Sequence, residues 1–224
     1  MNTPHQSRAE SRAQMESAII AAGREQLVSR GAANLSLREV ARTIGVVSSA
    51  VYRYVASRDE LLTLLVIDSY SSLADHVEGK IEASEAPAQQ FRALALGMRE
   101  WAVEHREQWA LIYGSPVPGY AAPAERTTGP GTRVIGMFLS IFSAAELRYP
   151  EPSRKFAERL DFELAGLGID ASATHAAFGI EAWGSIVGCI SMEVFGQLGP
   201  GLDGHGTEIM GRMIDSLTEK LGAA

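Results

Sequence analysis

Apolar residues in this 224-residue chain recur three and four positions apart, and nowhere do they sustain an every-other-residue alternation. A period near 3.6 puts one apolar face on a helix, whereas a half-buried strand needs a period of two. No Asn-Gly or Asp-Gly hairpin turn falls between two apolar runs. The expected fold class is therefore all-α. Gly, Pro and polar breaks cut the chain into helices at about 8–30, 37–44, 48–55, 58–81, 87–104, 105–113, 132–147, 153–164, 171–198 and 206–221. The stretch 114–131, with four prolines, is expected to be a long loop.

Two of these helix starts carry Ser-x-x-Glu, at Ser36–Glu39 and Ser57–Glu60. In such a capping box the hydroxyl and the carboxylate each accept a backbone N–H that the helix leaves free. Between the boxes lie two short helices joined through Gly45, a residue that adopts the positive φ of a tight turn without strain. Two short helices around a glycine turn follow the helix-turn-helix plan. The expected division is a helix-turn-helix domain over 1–60 and a larger helical domain over 61–224.

Charge follows the same division. Residues 1–60 hold eight Arg and six acidic residues, net +2, within a chain of net charge −7. A basic head is drawn to a phosphate backbone and an acidic body is repelled, which orients the molecule on nucleic acid. Arg far outnumbers Lys, which occurs only at Lys80, Lys155 and Lys220, a bias typical of GC-rich bacterial codon usage. The single cysteine, Cys189, cannot close an internal disulfide, which fits a reducing compartment. The start, Met1–Glu16, is polar with both charge signs and does not read as an export signal. Clean apolar runs such as Leu61–Ile67 are too short to span a bilayer. A cytoplasmic location with no membrane partner is expected.

Within residues 35–62, Leu37, Val40, Ala41, Ile44, Val46, Val51 and Val55 supply a small core. Subtracting them leaves Arg38, Arg42, Ser48, Ser49, Tyr52, Arg53 and Tyr54 outside. Guanidinium groups neutralise phosphates or read guanine edges, and hydroxyls bond phosphate oxygens. Ser36 and Arg58 stand at helix N-termini, where free N–H groups favour anions. These nine residues are the candidate contacts to a double-stranded DNA operator.

The string from Gly45 to Leu62, GVVSSAVYRYVASRDELL, resembles the signature of the TetR family of bacterial repressors, and the resemblance extends over about residues 15–65. It implies an all-helical homodimer with a small-molecule pocket in its C-terminal domain. It also implies phosphate contacts for Tyr52 and Tyr54, a backbone clamp at Arg58, and base-facing roles for Ser48, Ser49 and Arg53. Three departures stand out. Val47 occupies a position where the family has a capping Ser or Thr, Val51 and Val55 replace Leu and Phe, and Arg58 replaces Lys. A weaker resemblance, at residues 101–114 and 182–188, is to a C-terminal subclass named for a Trp-His-Gly motif. Here Val187 stands where the histidine would be.

A ligand pocket needs apolar walls and a few polar groups. The candidates are Met98, Trp101, Trp109, Tyr113, Phe138, Phe142, Phe178 and Trp183, with His105 as an orienting group; the alternative for each is that it fills the core. For dimerisation, Gly184 and Gly188 continue into Met192 and Phe195, and the last helix carries a stripe of Met210, Met213, Ile214 and Leu217. Two such helices from each subunit would pack as a four-helix interface and set two reading heads on a palindromic site.

No Gly-x-Ser-x-Gly, Walker or dinucleotide fingerprint is present, and the five histidines lack metal-ligand spacing. Neither an enzyme nor a metal or other cofactor is expected. The reading is a sequence-specific transcriptional regulator, most simply a repressor released by a small apolar or aromatic effector. The alternative is a ligand-binding or interaction protein that no longer recognises an operator.

Overall fold

The computed structural model describes residues 8–221; the outer ends of both expected domains, His5 among them, lie outside the described residues. Among the described residues there are helices and no strand, with one antiparallel bridge between Leu147 and Leu221. The helices are α1 (Arg8–Arg30), α2 (Leu37–Thr43), α3 (Ser48–Val51), α4 (Arg58–Glu78), α5 (Pro87–Glu104), α6 (Arg106–Tyr113), α7 (Ala124–Ser143), α8 (Arg154–Leu167), α9 (Ala173–Val194) and α10 (Gly206–Thr218). A 3-10 turn covers Ala32–Asn34.

Most expected boundaries hold within a few residues, and two do not. The long loop is shorter than expected, because α7 starts at Ala124 and contains Pro130. The Pro123 carbonyl accepts the Arg126 and Thr127 amides and so starts the helix. Near the proline, the Thr132 hydroxyl donates to the carbonyls of Thr128 (2.9 Å) and Gly129 (3.2 Å). The second exception is α3, a single turn that continues only as hydrogen-bonded turns through Tyr54.

The chain forms two compact units. The first comprises residues 8–69 and 107–127. Its core joins Ile19, Ala22 and Leu27 of α1, Leu37, Val40 and Ala41 of α2, then Val51, Val55 and Leu61, Leu62 and Leu65 of α4. The first turns of α4 thus belong to the head's core, which carries this unit past the boundary expected at residue 60. Gly23 makes the packing possible: a Cβ there would lie 3.1 Å from Leu65 Cδ2. Leu111, Val117 and Tyr120 pack on the same core, the Tyr120 hydroxyl meets Thr63 Oγ1 at 3.0 Å, and Arg126 pairs with Glu60 at 2.8 Å.

The second unit comprises residues 70–106 and 128–221. α5, α8 and α10 all pack on α9. α9 is long and apolar enough to cross a membrane by length and composition. Its carboxylates, however, are tied to neighbouring elements: Glu181 pairs with Lys220, and Glu193 accepts two bonds from Arg99, at 2.6 and 2.7 Å. Both members of the Arg99–Glu193 pair are largely buried.

Candidate nucleic-acid interface and apolar cavity

The approach to α2 differs from the capping box read from the sequence. Ser36 is the N-cap in an extended conformation, yet its hydroxyl makes no cap bond. Its backbone is held instead by the buried Gln26 of α1. The Ser36 amide donates to Gln26 Oε1 at 2.9 Å, and Gln26 Nε2 donates to the Ser36 carbonyl at 3.2 Å. Glu39, the other half of the expected box, accepts from Arg42 at 2.7 Å and Arg30 at 3.1 Å. The side-chain amide of Gln26, from the packed α1, bonds both backbone groups of Ser36 and so fixes α2 on α1. The second box is half formed: the Glu60 amide donates to Ser57 Oγ at 3.1 Å, while the Glu60 carboxylate holds Arg126.

α2 closes as the glycine predicts. Gly45 has φ 74, the Val46 amide donates to the Ala41 carbonyl at 2.9 Å and the Gly45 amide to Arg42 at 3.3 Å. This is a Schellman closure, which only a residue at ease in the left-handed region makes without strain. It turns the chain into α3, whose Ala50 and Val51 face inward.

The outward residues then separate by what holds them. Arg38, Arg53, Ser49 and Tyr52 are exposed, and among the described residues neither Arg38 nor Arg53 has an ion-pair partner. Arg42 is exposed but paired with Glu39. That pairing holds the Glu39 carboxyl below the usual carboxylate range, through the Arg42 bond first and Arg30 second. Ser48 is half-buried at the first position of α3, and Ser36 is half-buried beside Gln26. The two tyrosines differ. The Tyr54 ring packs against the core with the Arg12 guanidinium 5.9 Å from its centroid, while the Tyr52 ring is open to solvent. Arg58 is turned inward: its guanidinium donates to the carbonyls of Ala32 and Ala33, both at 3.1 Å, and lies 3.4 Å from Asp59. In this arrangement Arg58 pins the 3-10 turn to the start of α4. Two residues of this face were not among the sequence candidates, Glu39 as a counter-charge and Val47 as an exposed apolar group. Glu39 at i−3 from Arg42 was the readable signal for the first.

The pocket candidates also separate. Met98, Trp101, Phe138, Phe142 and Phe178 are buried in the second unit. Phe138 and Phe142 meet edge to face at 4.7 Å, and Phe91 lies 5.3 Å from each. Phe178 lies 4.7 Å from Phe142. Trp101 donates to Ser72 Oγ at 3.0 Å, with the half-buried His105 ring 5.0 Å away. Trp109 and Tyr113 belong to the first unit, with ring centroids 4.4 Å apart. An open apolar cavity of about 200 Å³ lies elsewhere, between α7, α8 and α9. Of the sequence candidates only Phe138 and Trp183 line it, with Ile135, Leu160, Leu164 and Ile180 among the others. Glu163 is its one ionisable lining residue.

For the dimer face the structure makes a correction. Met210, Ile214 and Leu217 are buried within the subunit, because α10 packs on α5 and α9, and Met213 is half-buried beside them. The amphipathic stripe of α10 faces the subunit's own core. α9 does the opposite. Ile180, Gly184, Gly188, Met192 and Phe195 form an exposed ridge with a spacing of three and four. Cys189 points inward, and burial, with Glu193 nearby, pushes its thiol up from the ordinary range, unlike a nucleophile.

Against known proteins, the family described as bacterial regulatory proteins, tetR family, matches residues 19–65. The tetracyclin repressor-like C-terminal domain matches residues 91–217. An HTH-type transcriptional regulator of Mycobacterium tuberculosis, Rv1816, is 45% identical over 203 residues, 86% of each chain. Among solved structures, the regulatory protein SCO4313 has a TM-score of 0.78 at 28% identity, covering 95% of this chain and 99% of that one. FadR of Bacillus subtilis, solved with stearoyl-CoA, has a TM-score of 0.60 at 11% identity over 92% of this chain and 99% of that one, a likeness of fold.

Proposed function

The chain belongs to the tetR family of bacterial regulatory proteins and is a DNA-binding transcriptional regulator rather than an enzyme, and from that premise we propose that it is a cytoplasmic repressor, a homodimer held on a palindromic operator until a small apolar ligand releases it. The observation that carries the DNA-reading part is that the guanidinium groups of Arg38 and Arg53 are exposed and have no ion-pair partner among the described residues, with Ser49 and Tyr52 exposed as well. Exposed cations without internal partners are available to phosphates and guanine edges, at no cost of breaking an existing bond. Arg42 joins them when a phosphate competes with Glu39.

The α7–α8–α9 cavity is the proposed effector site. Its walls suit one or two fused rings or a short alkyl group, since a dry cavity of ~150 Å³ already holds benzene. The apolar lining favours an uncharged ligand, since its one ionisable residue, Glu163, is already ion-paired with Arg159. An acyl-CoA such as that of the Bacillus subtilis neighbour would find no partner there for its phosphates. The α9 ridge is the proposed dimer face, its glycines allowing close approach of two helices. Because the cavity lining includes Ile180 and Trp183 of α9, a ligand that shifts α9 would change the spacing of the two reading heads.

The test is a binding titration on DNA upstream of the protein's own gene, at several salt concentrations, with and without indole or naphthalene. Tight, salt-dependent binding over random DNA, weakened by the probe, is expected. Probe binding, read by calorimetry, with unchanged operator affinity would sink the ligand-release reading. A monomer in sedimentation at micromolar concentration would sink the dimer.

A further inference from the structure

Val47 precedes α3 with 71% of its surface exposed, more than any other large apolar side chain among the described residues. Its backbone already serves as an N-cap: it is extended, at φ −71 and ψ 145, and its carbonyl accepts the Ala50 amide at 2.9 Å. The side chain makes no cap bond. Ser, Thr, Asp or Asn would satisfy a free N–H here. Valine leaves that N–H to solvent and sets two methyl groups in water. Its β-branch restricts χ1, so the methyls present in few directions. Both local costs fall on one residue, and no side-chain bond or burial among the described residues compensates them. Val46 is half-buried and Ala50 and Val51 are buried, whereas Val47, Ser49, Tyr52 and Arg53 are exposed around the same turn.

We propose that Val47 is a base-reading residue whose methyl groups pack against the 5-methyl of a thymine in each operator half-site. In the major groove the base edges are mostly donors and acceptors, and the one methyl group among them is that of thymine. An isopropyl group against a donor or acceptor would strip water from a nitrogen or oxygen and replace it with nothing, and against the cytosine C5–H it would lack the methyl to pack on. The same contact disfavours cytosine, which offers an amino group and no methyl. Arg53 and Val47 then read different features, a hydrogen-bonding edge and an apolar one. The proposal rests on α3 being the helix that enters the groove.

The test uses the full-length protein. A consensus site is first selected from random duplex DNA, and each thymine is then replaced singly by uracil, which removes only the methyl. The expected result is one thymine per half-site at which uracil weakens binding about fourfold, the loss of one buried methyl, while the other thymines tolerate the change. Val47→Ser is expected to bind thymine and uracil alike and to melt no lower than the parent, since serine restores the cap. Val47→Thr, keeping one methyl, is expected to fall between them. Indifference of the parent to uracil at every thymine, or a Val47→Ser protein that keeps the full sensitivity, overturns the proposal. A selection that yields no consensus overturns the base-reading role of α3 itself, a separate outcome from uracil indifference on a clear consensus.

Discussion

The two units of this regulator treat their distinctive side chains in opposite ways. In the first, Arg38, Ser49, Tyr52 and Arg53 stay in water. In the second, Phe91, Phe138, Phe142 and Phe178 are drawn together out of it. Helix length accounts for the contrast between α2 and α3, which carry the exposed residues, and the long helices of the second unit. α2 and α3 have 7 and 4 residues, too few for more than two or three inward positions each. α5, α7 and α9 have 18, 20 and 22, and each lays a long apolar face on its neighbours. A short helix has to show its polar residues. A long one has inward positions enough to bury any aromatic that falls in register.

The largest effect that tests this contrast is expected in the second unit. Phe142→Ala removes a ring at the centre of the aromatic cluster. It should cost about 3–5 kcal/mol in denaturant unfolding. A loss under about 1 kcal/mol would mean that the cluster is loose and that Phe142 lines space a ligand can use. In the first unit, Arg53→Ala should leave unfolding nearly unchanged and cost ~1–3 kcal/mol of affinity on the selected operator. Equal losses on operator and random DNA would make Arg53 a phosphate contact rather than a base reader.

Smaller effects separate the two helix starts. Ser57 caps α4 through the Glu60 amide, so Ser57→Ala should cost about 1 kcal/mol. Glu39→Gln should raise DNA affinity about twofold by removing a carboxylate from the reading face. Acid should do the same without mutation. The Glu39 carboxyl titrates below its usual range because Arg42 donates to it, so the pairing is complete at neutral pH and is lost only as pH falls through that lowered value. A gain in affinity already at mildly acidic pH, within the ordinary glutamate range, would count against the pairing. The smallest effect is expected at Ser36→Ala, within about 0.5 kcal/mol, since Gln26 holds the backbone and the hydroxyl caps nothing. A loss as large as that at Ser57 would show that Ser36 caps α2 after all.

Much of the head was legible from neighbouring residues alone. Gly45 demanded the left-handed turn, the 3.6-residue spacing placed Leu37, Val40, Ala41 and Val51 inside, and the remainder faced out. Arg58 was less legible. Its chemistry matched a phosphate, and its guanidinium went to two carbonyls 25 and 26 residues earlier in the chain. In the second unit the aromatic residues were all visible, but whether they framed a space or closed it was not. Composition and period are the same in both cases, and the difference lies in the distance between helices.

What the sequence by itself determined was local: helix positions, the glycine turn, the sidedness of each helix and the charge difference between head and body. These follow from backbone sterics and from residues within one or two turns of each other. The tertiary structure decided which of several competent partners each side chain met. It set Gln26 rather than the Ser36 hydroxyl at the start of α2, turned the α10 stripe inward while leaving the α9 ridge exposed, and opened a cavity between α7, α8 and α9. The physical reason is range. A cap or a turn competes with alternatives a few residues away, whereas a packed amide, an inward stripe or a cavity depends on surfaces brought together from tens of residues apart.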